Sequence, residues 1–256
     1  MDNSGRATDG PAELTDQALP REVAKLVGVL SEDATAVSGR RRLLAATTRL
    51  ARRGGRAGWY GVQSGGRWLT SEVLAMAPRL PVRDQQKLRA QFPGHSLEEL
   101  ADALIHGASR AATSVGAAVG AAMVLPLPAA PVEVAVETLA LVGIEIKLVA
   151  ELHEVYGMRA PGSGTERMLA YVVAWAHRRG VALAPGGLVL AVGSPLRRRL
   201  QRRLIARAGR SAASLGPLLT GAVAGAVLNR RETRRLGADV RDDLRRRSSY
   251  ATSWPS

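Results

Sequence analysis

The stretch VEVAVETLALVGIEIKLVAELHEVYG, residues 132–157, constrains this chain more than any other. It is long and predominantly apolar and closes on Gly157, a natural helix C-terminal cap. PLPAAP, residues 126–131, stands just before it, and three prolines in six residues cannot stay helical. The pattern predicts a long apolar helix with a hard stop in front of it. Yet Glu133, Glu137, Glu145, Lys147, Glu151 and Glu154 lie along that helix. Glu145 and Lys147 are two positions apart, about 200° around the axis, so they cannot share a face. If the helix is central, at least one of them is buried and must find a partner. Lys147 and Glu151 have the i, i+4 spacing of a helical ion pair. His153 stands about 80° around from Glu145, too far for a direct pair on one helix, and is expected to be a surface or internally satisfied histidine.

The rest of the chain reads as more helices. Residues 1–18 are polar and aperiodic, a disordered tail. PREVAKLVGVLSED is helical, with Pro20 near its start. RRRLLAATTRLARRG is a short basic amphipathic helix. The glycine-rich GGRAGWYGVQSGGRW is a loop or a short hairpin. Two short helical pieces follow over 69–92, separated by Pro78 and Pro81. Ser96 and Glu99 have capping-box spacing and open a helix that runs on into TSVGAAVGAAMVL. APGSG is a loop, TERMLAYVVAWAHRRG a helix ending before Gly180, and LRRRLQRRLIARAGR a basic amphipathic segment. No strand-like alternation persists. The expected fold is all-α: a multi-helix bundle with a tail at 1–18, an N-terminal helical region at 19–95, a main helical domain at 96–247 and a C-terminal tail at 248–256.

Three stretches carry no charge: 111–132, 180–196 and 211–229. Their lengths straddle the roughly 20 residues that span a bilayer. All are rich in Gly and Ala, and two are cut by proline, so a close-packed core hairpin is favoured over spanning. Gly116 and Gly120 repeat the Gly-x-x-x-Gly spacing of Gly221 and Gly225, and two such faces can pack with backbones nearly touching. Asn229 would end that second helix or bond across the seam.

Little chemistry is legible. There is no cysteine, so disulfides and thiolate metal sites are excluded. His95, His106, His153 and His177 show no metal-ligand spacing. GSGTER lacks the ending of a phosphate loop, and no nucleophile elbow occurs. A carboxylate buried near Glu145 is expected to be a structural ion pair before a reactive group. No catalytic, metal or cofactor residue is assigned, and no cofactor is expected. The opening residues are polar and acidic without an apolar core, so secretion is not expected.

Charge is the strongest functional signal. The net charge is +14, and lysine occurs only at 25, 87 and 147, so arginine supplies nearly all of it. Residues 197–247 hold fifteen arginines against four acids. Arg197, Arg198, Arg199, Arg202, Arg203, Arg230, Arg231, Arg234 and Arg235 are the candidate anion-binding residues. Two explanations stand equal: a solvated face with an arginine bias, or helices drawn to anionic lipid.

The segments around residues 96–247 resemble the EcsC family of bacterial proteins. The likeness rests on the proline-led apolar helix ending in Tyr156-Gly157, on the charged start of ERMLAYVVAWA, and on GPLLTGAVAGAVLNRRET with Asn229 and Thr233. Glu232 departs from the pattern, which carries an aromatic residue there. The resemblance implies an all-helical, membrane-associated or cytoplasmic protein with no established activity. The sequence-level expectation is a non-enzymatic accessory or scaffold protein at the cytoplasmic face of the membrane, its partners anionic lipid headgroups or an acidic protein. The alternative is a soluble regulator whose basic C-terminal region binds an acidic protein or nucleic acid. Nucleic acid is the less favoured partner, because stacking aromatics are scarce.

Overall fold

The computed structural model describes residues 18–32, 66–122, 130–184, 187–190 and 216–253. Seven α-helices run through them: α1 (Ala18–Glu32), α2 (Gly66–Met76), α3 (Gln85–Gln91), α4 (Leu97–Ala122), α5 (Ala130–Val155), α6 (Gly164–Arg178) and α7 (Gly216–Ser253). The protein is an all-α bundle. The expected tail, the basic helix at 40–54 and the basic segment at 196–210 lie outside the described residues.

The helix built from residues 132–157 is the axis of the fold. From Val136 to Leu152 every residue of α5 is buried, as an apolar helix without a polar stripe requires. Helices α1, α2, α4, α6 and α7 all pack on it. One apolar core joins Val23 and Leu30 of α1, Val73 and Met76 of α2, Trp175 of α6 and Leu244 of α7. The N-terminal helices therefore share their core with those after residue 96. Burying each large apolar side chain of this set contributes roughly 1.5–3 kcal/mol.

The helix ends follow local chemistry. Ser96 and Glu99 form the expected capping box: the Ser96 N–H donates to Glu99 Oε2 at 2.8 Å, and the Glu99 N–H donates to Ser96 Oγ at 3.3 Å. A second box, not anticipated, joins Ser163 and Glu166 at the start of α6. Gly157 and Gly180 terminate α5 and α6 at φ of 66° and 62°, the left-handed region open to glycine.

Three expectations are corrected. Residues 181–190 are not without strands: β1 (Val181–Ala184) and β2 (Gly187–Leu190) pair antiparallel, Val181 opposite Leu190 and Ala184 opposite Gly187. Pro185 and the Gly186-Gly187 pair split the apolar stretch before a helix can propagate, and a hairpin satisfies its backbone instead. Trp68 belongs to α2 and not to the glycine-rich loop. Helix α7 continues to Ser253, past the expected boundary at 247.

Among the described residues no helix is long and apolar enough to cross a membrane. Helix α7 packs along α4 more extensively than along any other element, the pairing the small-residue pattern suggested. Gly116, Gly120, Gly221 and Gly225 fall in these two helices, but their surroundings lie outside the described residues. The close approach that is described belongs to Gly237. A Cβ there would stand 2.7 Å from Ile105 Cγ1 and 3.2 Å from Leu148 Cδ2.

Candidate functional site

Burying α5 on all sides buries its charges. Glu137, Glu145, Lys147, Glu151 and Glu154 are each 6% exposed or less. Glu145 and Lys147 point apart, as their spacing demands, and enter two different clusters.

Glu145 is enclosed by α6 and α7. Arg179, just after α6, donates from Nε to Oε2 at 2.9 Å and from Nη2 to Oε1 at 2.5 Å. Trp175 donates its indole N–H to Oε2 at 2.9 Å, and the Thr233 hydroxyl donates to Oε1 at 3.3 Å. Arg179 also reaches Glu232 Oε2 at 3.2 Å and the Glu232 carbonyl at 3.3 Å. Burial pulls the Arg179 guanidinium down, but Glu145 and Glu232 hold it above the ordinary arginine range. This is a sealed clasp of three helices in which two carboxylates meet one guanidinium.

Lys147 enters a second cluster, centred on Glu151. The Lys147 ammonium bonds Glu151 Oε1, the expected i, i+4 pair. Arg83, in the segment before α3, donates from Nε to Oε1 at 2.8 Å and from Nη2 to Oε2 at 2.7 Å, and its backbone N–H reaches Oε1 at 3.1 Å. Burial raises the Glu151 carboxyl, but Arg83 and Lys147 outweigh it and hold the group below the usual carboxylate range. Unlike the clasp, this cluster forms one wall of a cavity of about 350 Å³. His106 and Arg110 of α4 line the same cavity.

His153 is satisfied internally. Its Nδ1 lies 2.7 Å from the Val149 carbonyl, its ring tilts against Tyr171, and burial lowers its basicity. Asn229 and Thr233 are fully buried on α7.

The remaining candidates are cationic. Arg197, Arg198, Arg199, Arg202 and Arg203 lie outside the described residues. Arg230, Arg231, Arg234 and Arg235 are all exposed on α7. At about 100° per residue, Asn229, Thr233, Leu236, Val240 and Leu244 form the buried arc of that helix. Arg230, Arg231, Arg234, Arg235, Arg245 and Arg246 are exposed and spread over about 160° on the other side; the half-buried Arg241 lies among them but is paired with Asp102 and Asp242. The other three acids of α7 occupy the flank towards α6. There Glu232 meets Arg179, and Asp243 meets Arg178 at 2.8 Å. The flank thus consumes acids that would otherwise neutralise the outward face. Among the described residues Arg230, Arg231 and Arg235 make no ion pair.

Sequence reasoning missed Arg83, Arg179, Trp175 and Arg110. The demand of Glu145 for a partner was visible, but among 33 arginines nothing in the sequence picks out Arg179. Among the described residues no cluster of three or more His, Asp or Glu could hold a metal ion. Comparison with protein-family models, with characterised proteins and with solved structures finds no match.

Proposed function

We propose that the protein is a non-enzymatic accessory or scaffold factor that works at the cytoplasmic face of a membrane, held there by the arginine face of α7. The observation that carries this reading is the sorting of charge on one helix. Three of its four acids turn towards α6, and six exposed arginines turn outward. The uncharged stretch at 217–229 leads directly into that face on the same continuous helix, and Val227, 59% exposed, lies at its edge. An apolar segment followed by a basic face is the composition of an interfacial helix. Each arginine near an anionic surface contributes roughly 1 kcal/mol. The resemblance to the EcsC family points the same way.

Between 230 and 249 the helix carries no aromatic side chain. That favours lipid over single-stranded nucleic acid, whose binding draws on base stacking. The sealed Glu145 clasp favours a structural role for the most deeply buried carboxylate.

Flotation with vesicles tests the reading. The full chain is expected to float with vesicles containing anionic lipid, to stay behind with neutral phosphatidylcholine, and to be released by high salt. Equal retention on neutral and anionic vesicles contradicts an electrostatic face. Absence of retention together with salt-sensitive binding to duplex DNA makes the soluble regulator the better reading.

A further inference from the structure

Helix α6 has a second apolar face. Tyr171, Val172, Trp175 and Ala176 are buried against the core. Leu169, Ala170, Val173 and Ala174 lie on the other side of the helix, within about 140° of arc. Leu169 is 38% exposed and Val173 51%. Among the described residues they are the one pair of exposed large apolar side chains that stand a turn apart on a single helix. A scattered exposed side chain needs no partner, but a helix with apolar residues on both faces calls for cover on each.

This face continues into a groove of about 500 Å³ between α6 and α7. Val173 and Ala174 are its apolar side, and Arg178, Arg246 and Arg247 are its cationic side. Asp243 is the one acid among the described lining residues. All three guanidiniums share it: Arg178 at 2.8 Å, Arg247 at 3.1 Å and Arg246 at 3.9 Å. Three cations against one carboxylate leave a surplus of two positive charges beside an apolar strip. Arg246 and Arg247 keep about two-thirds of their side-chain surface in solvent, so both can turn to an incoming anion.

Shape and charge choose the occupant. Asp243 stands about 140° around α7 from the middle of the outward arginine arc, so one flat bilayer surface cannot rest on both. A second copy of the chain would set these arginines against their own symmetry mates. An amphipathic helix with acids beside its apolar stripe meets both demands of the groove, as in helix-in-groove recognition. We propose that this groove docks an acidic amphipathic helix of a partner protein, with an apolar side chain of that helix seated over Val173 and its carboxylates paired with Arg246 and Arg247. The inference stands on the groove and does not depend on membrane binding.

Fluorescence anisotropy with a labelled synthetic helix tests it. The probe has about 20 residues, with leucine along one face and glutamate on both flanks of that face. The wild-type chain is expected to bind it at physiological salt, and not to bind the same helix with lysine in place of glutamate. Leu169→Gln/Val173→Gln removes the apolar strip without changing charge, at exposed positions, and is expected to weaken binding roughly tenfold. Arg246→Gln/Arg247→Gln is expected to weaken it and to remove most of its salt dependence. Arg231→Ala/Arg235→Ala, on the outward face, is expected to leave it unchanged. Circular dichroism shows whether each variant is folded. No binding by the wild type, equal binding of the lysine helix, or wild-type affinity in Leu169→Gln/Val173→Gln overturns the proposal. So does an equal loss in Arg231→Ala/Arg235→Ala, which would mean diffuse attraction. Loss of retention on anionic vesicles in Leu169→Gln/Val173→Gln would assign the face to the membrane instead. A wild-type dimer that the same variant makes monomeric would assign it to a second copy.

Discussion

Glu145 and Glu151 sit on the same helix, less than two turns apart and equally buried, yet their surroundings make opposite use of charge. Glu145 shares one guanidinium with Glu232 and is enclosed by an indole and a hydroxyl. Glu151 is held between two cations in the wall of a cavity. The first arrangement fixes α6 and α7 on α5 and leaves nothing for a ligand. The second borders a space of about 350 Å³ and so is not closed off by packing on every side. Burial of a charge is thus no guide to function until its partners and its access are both known.

The largest effect is expected at the sealed site. Arg179→Met strips Glu145 of its guanidinium and should destabilise the fold by about 3–5 kcal/mol, measured by urea denaturation. The double variant Arg179→Met/Glu145→Gln should recover part of that loss, because the deeply buried carboxylate is then neutral and only the more exposed Glu232 loses its partner. A loss below 1 kcal/mol in the single variant would mean that the clasp is not closed to water.

The open cluster should respond differently. Glu151→Gln removes the carboxylate that occupies Arg83 and Lys147. Stability should fall by a smaller amount, about 2–3 kcal/mol, since cavity water can solvate the cations left behind. A loss as large as that of Arg179→Met would mean that the cavity does not admit water to the cluster.

Next comes the seam. Gly237→Ala places a methyl group 2.7 Å from Ile105 and should destabilise by about 1–3 kcal/mol through overpacking. A thermal melt of this variant checks the α7 packing independently of either charged cluster.

The smallest effects are those of pH. The Glu151 carboxyl is depressed in the folded state, so its contribution is complete above the ordinary carboxylate range and is lost as pH falls through the folded value. His153 is also depressed, by burial, so the unfolded chain takes up its proton first. Stability should therefore begin to decline as pH drops below about 6.5, before the Glu151 carboxyl takes up a proton. Replacing His153 with Gln should flatten that first decline and leave the Glu151 phase at lower pH. Unchanged pH dependence in the variant would place the proton uptake elsewhere.

Much of the architecture was legible in the sequence because it is written locally. Pro131 in the first turn of α5, the Ser96–Glu99 box and Gly157 mark helix ends with residues no more than a turn away. The 181–190 hairpin was missed because strands of four uniformly small or apolar residues show no alternation to read. The clusters were half legible. Spacing alone separated Glu145 from Lys147 and paired Lys147 with Glu151. The partners Arg83 and Arg179 lie 68 and 34 positions away from the glutamates they meet. Only the packing of α6 and of the segment before α3 on α5 brings them in. The outward face of α7 was visible as an arginine count, but its strength depends on which flank takes the acids, and that is set by where Arg178 and Arg179 sit.

The most direct measurement compares two double variants that lose the same charge from different places. Arg231→Ala/Arg235→Ala removes two outward arginines. Arg178→Ala/Arg241→Ala removes two that are paired with Asp243 and with Asp102 and Asp242. Flotation with anionic vesicles at low salt, after circular dichroism has shown both variants folded, separates position from net charge. The outward pair should weaken binding by about thirtyfold and the paired set by much less. Equal losses would show that net charge alone draws the protein to anionic surfaces, and would contradict a binding face on α7.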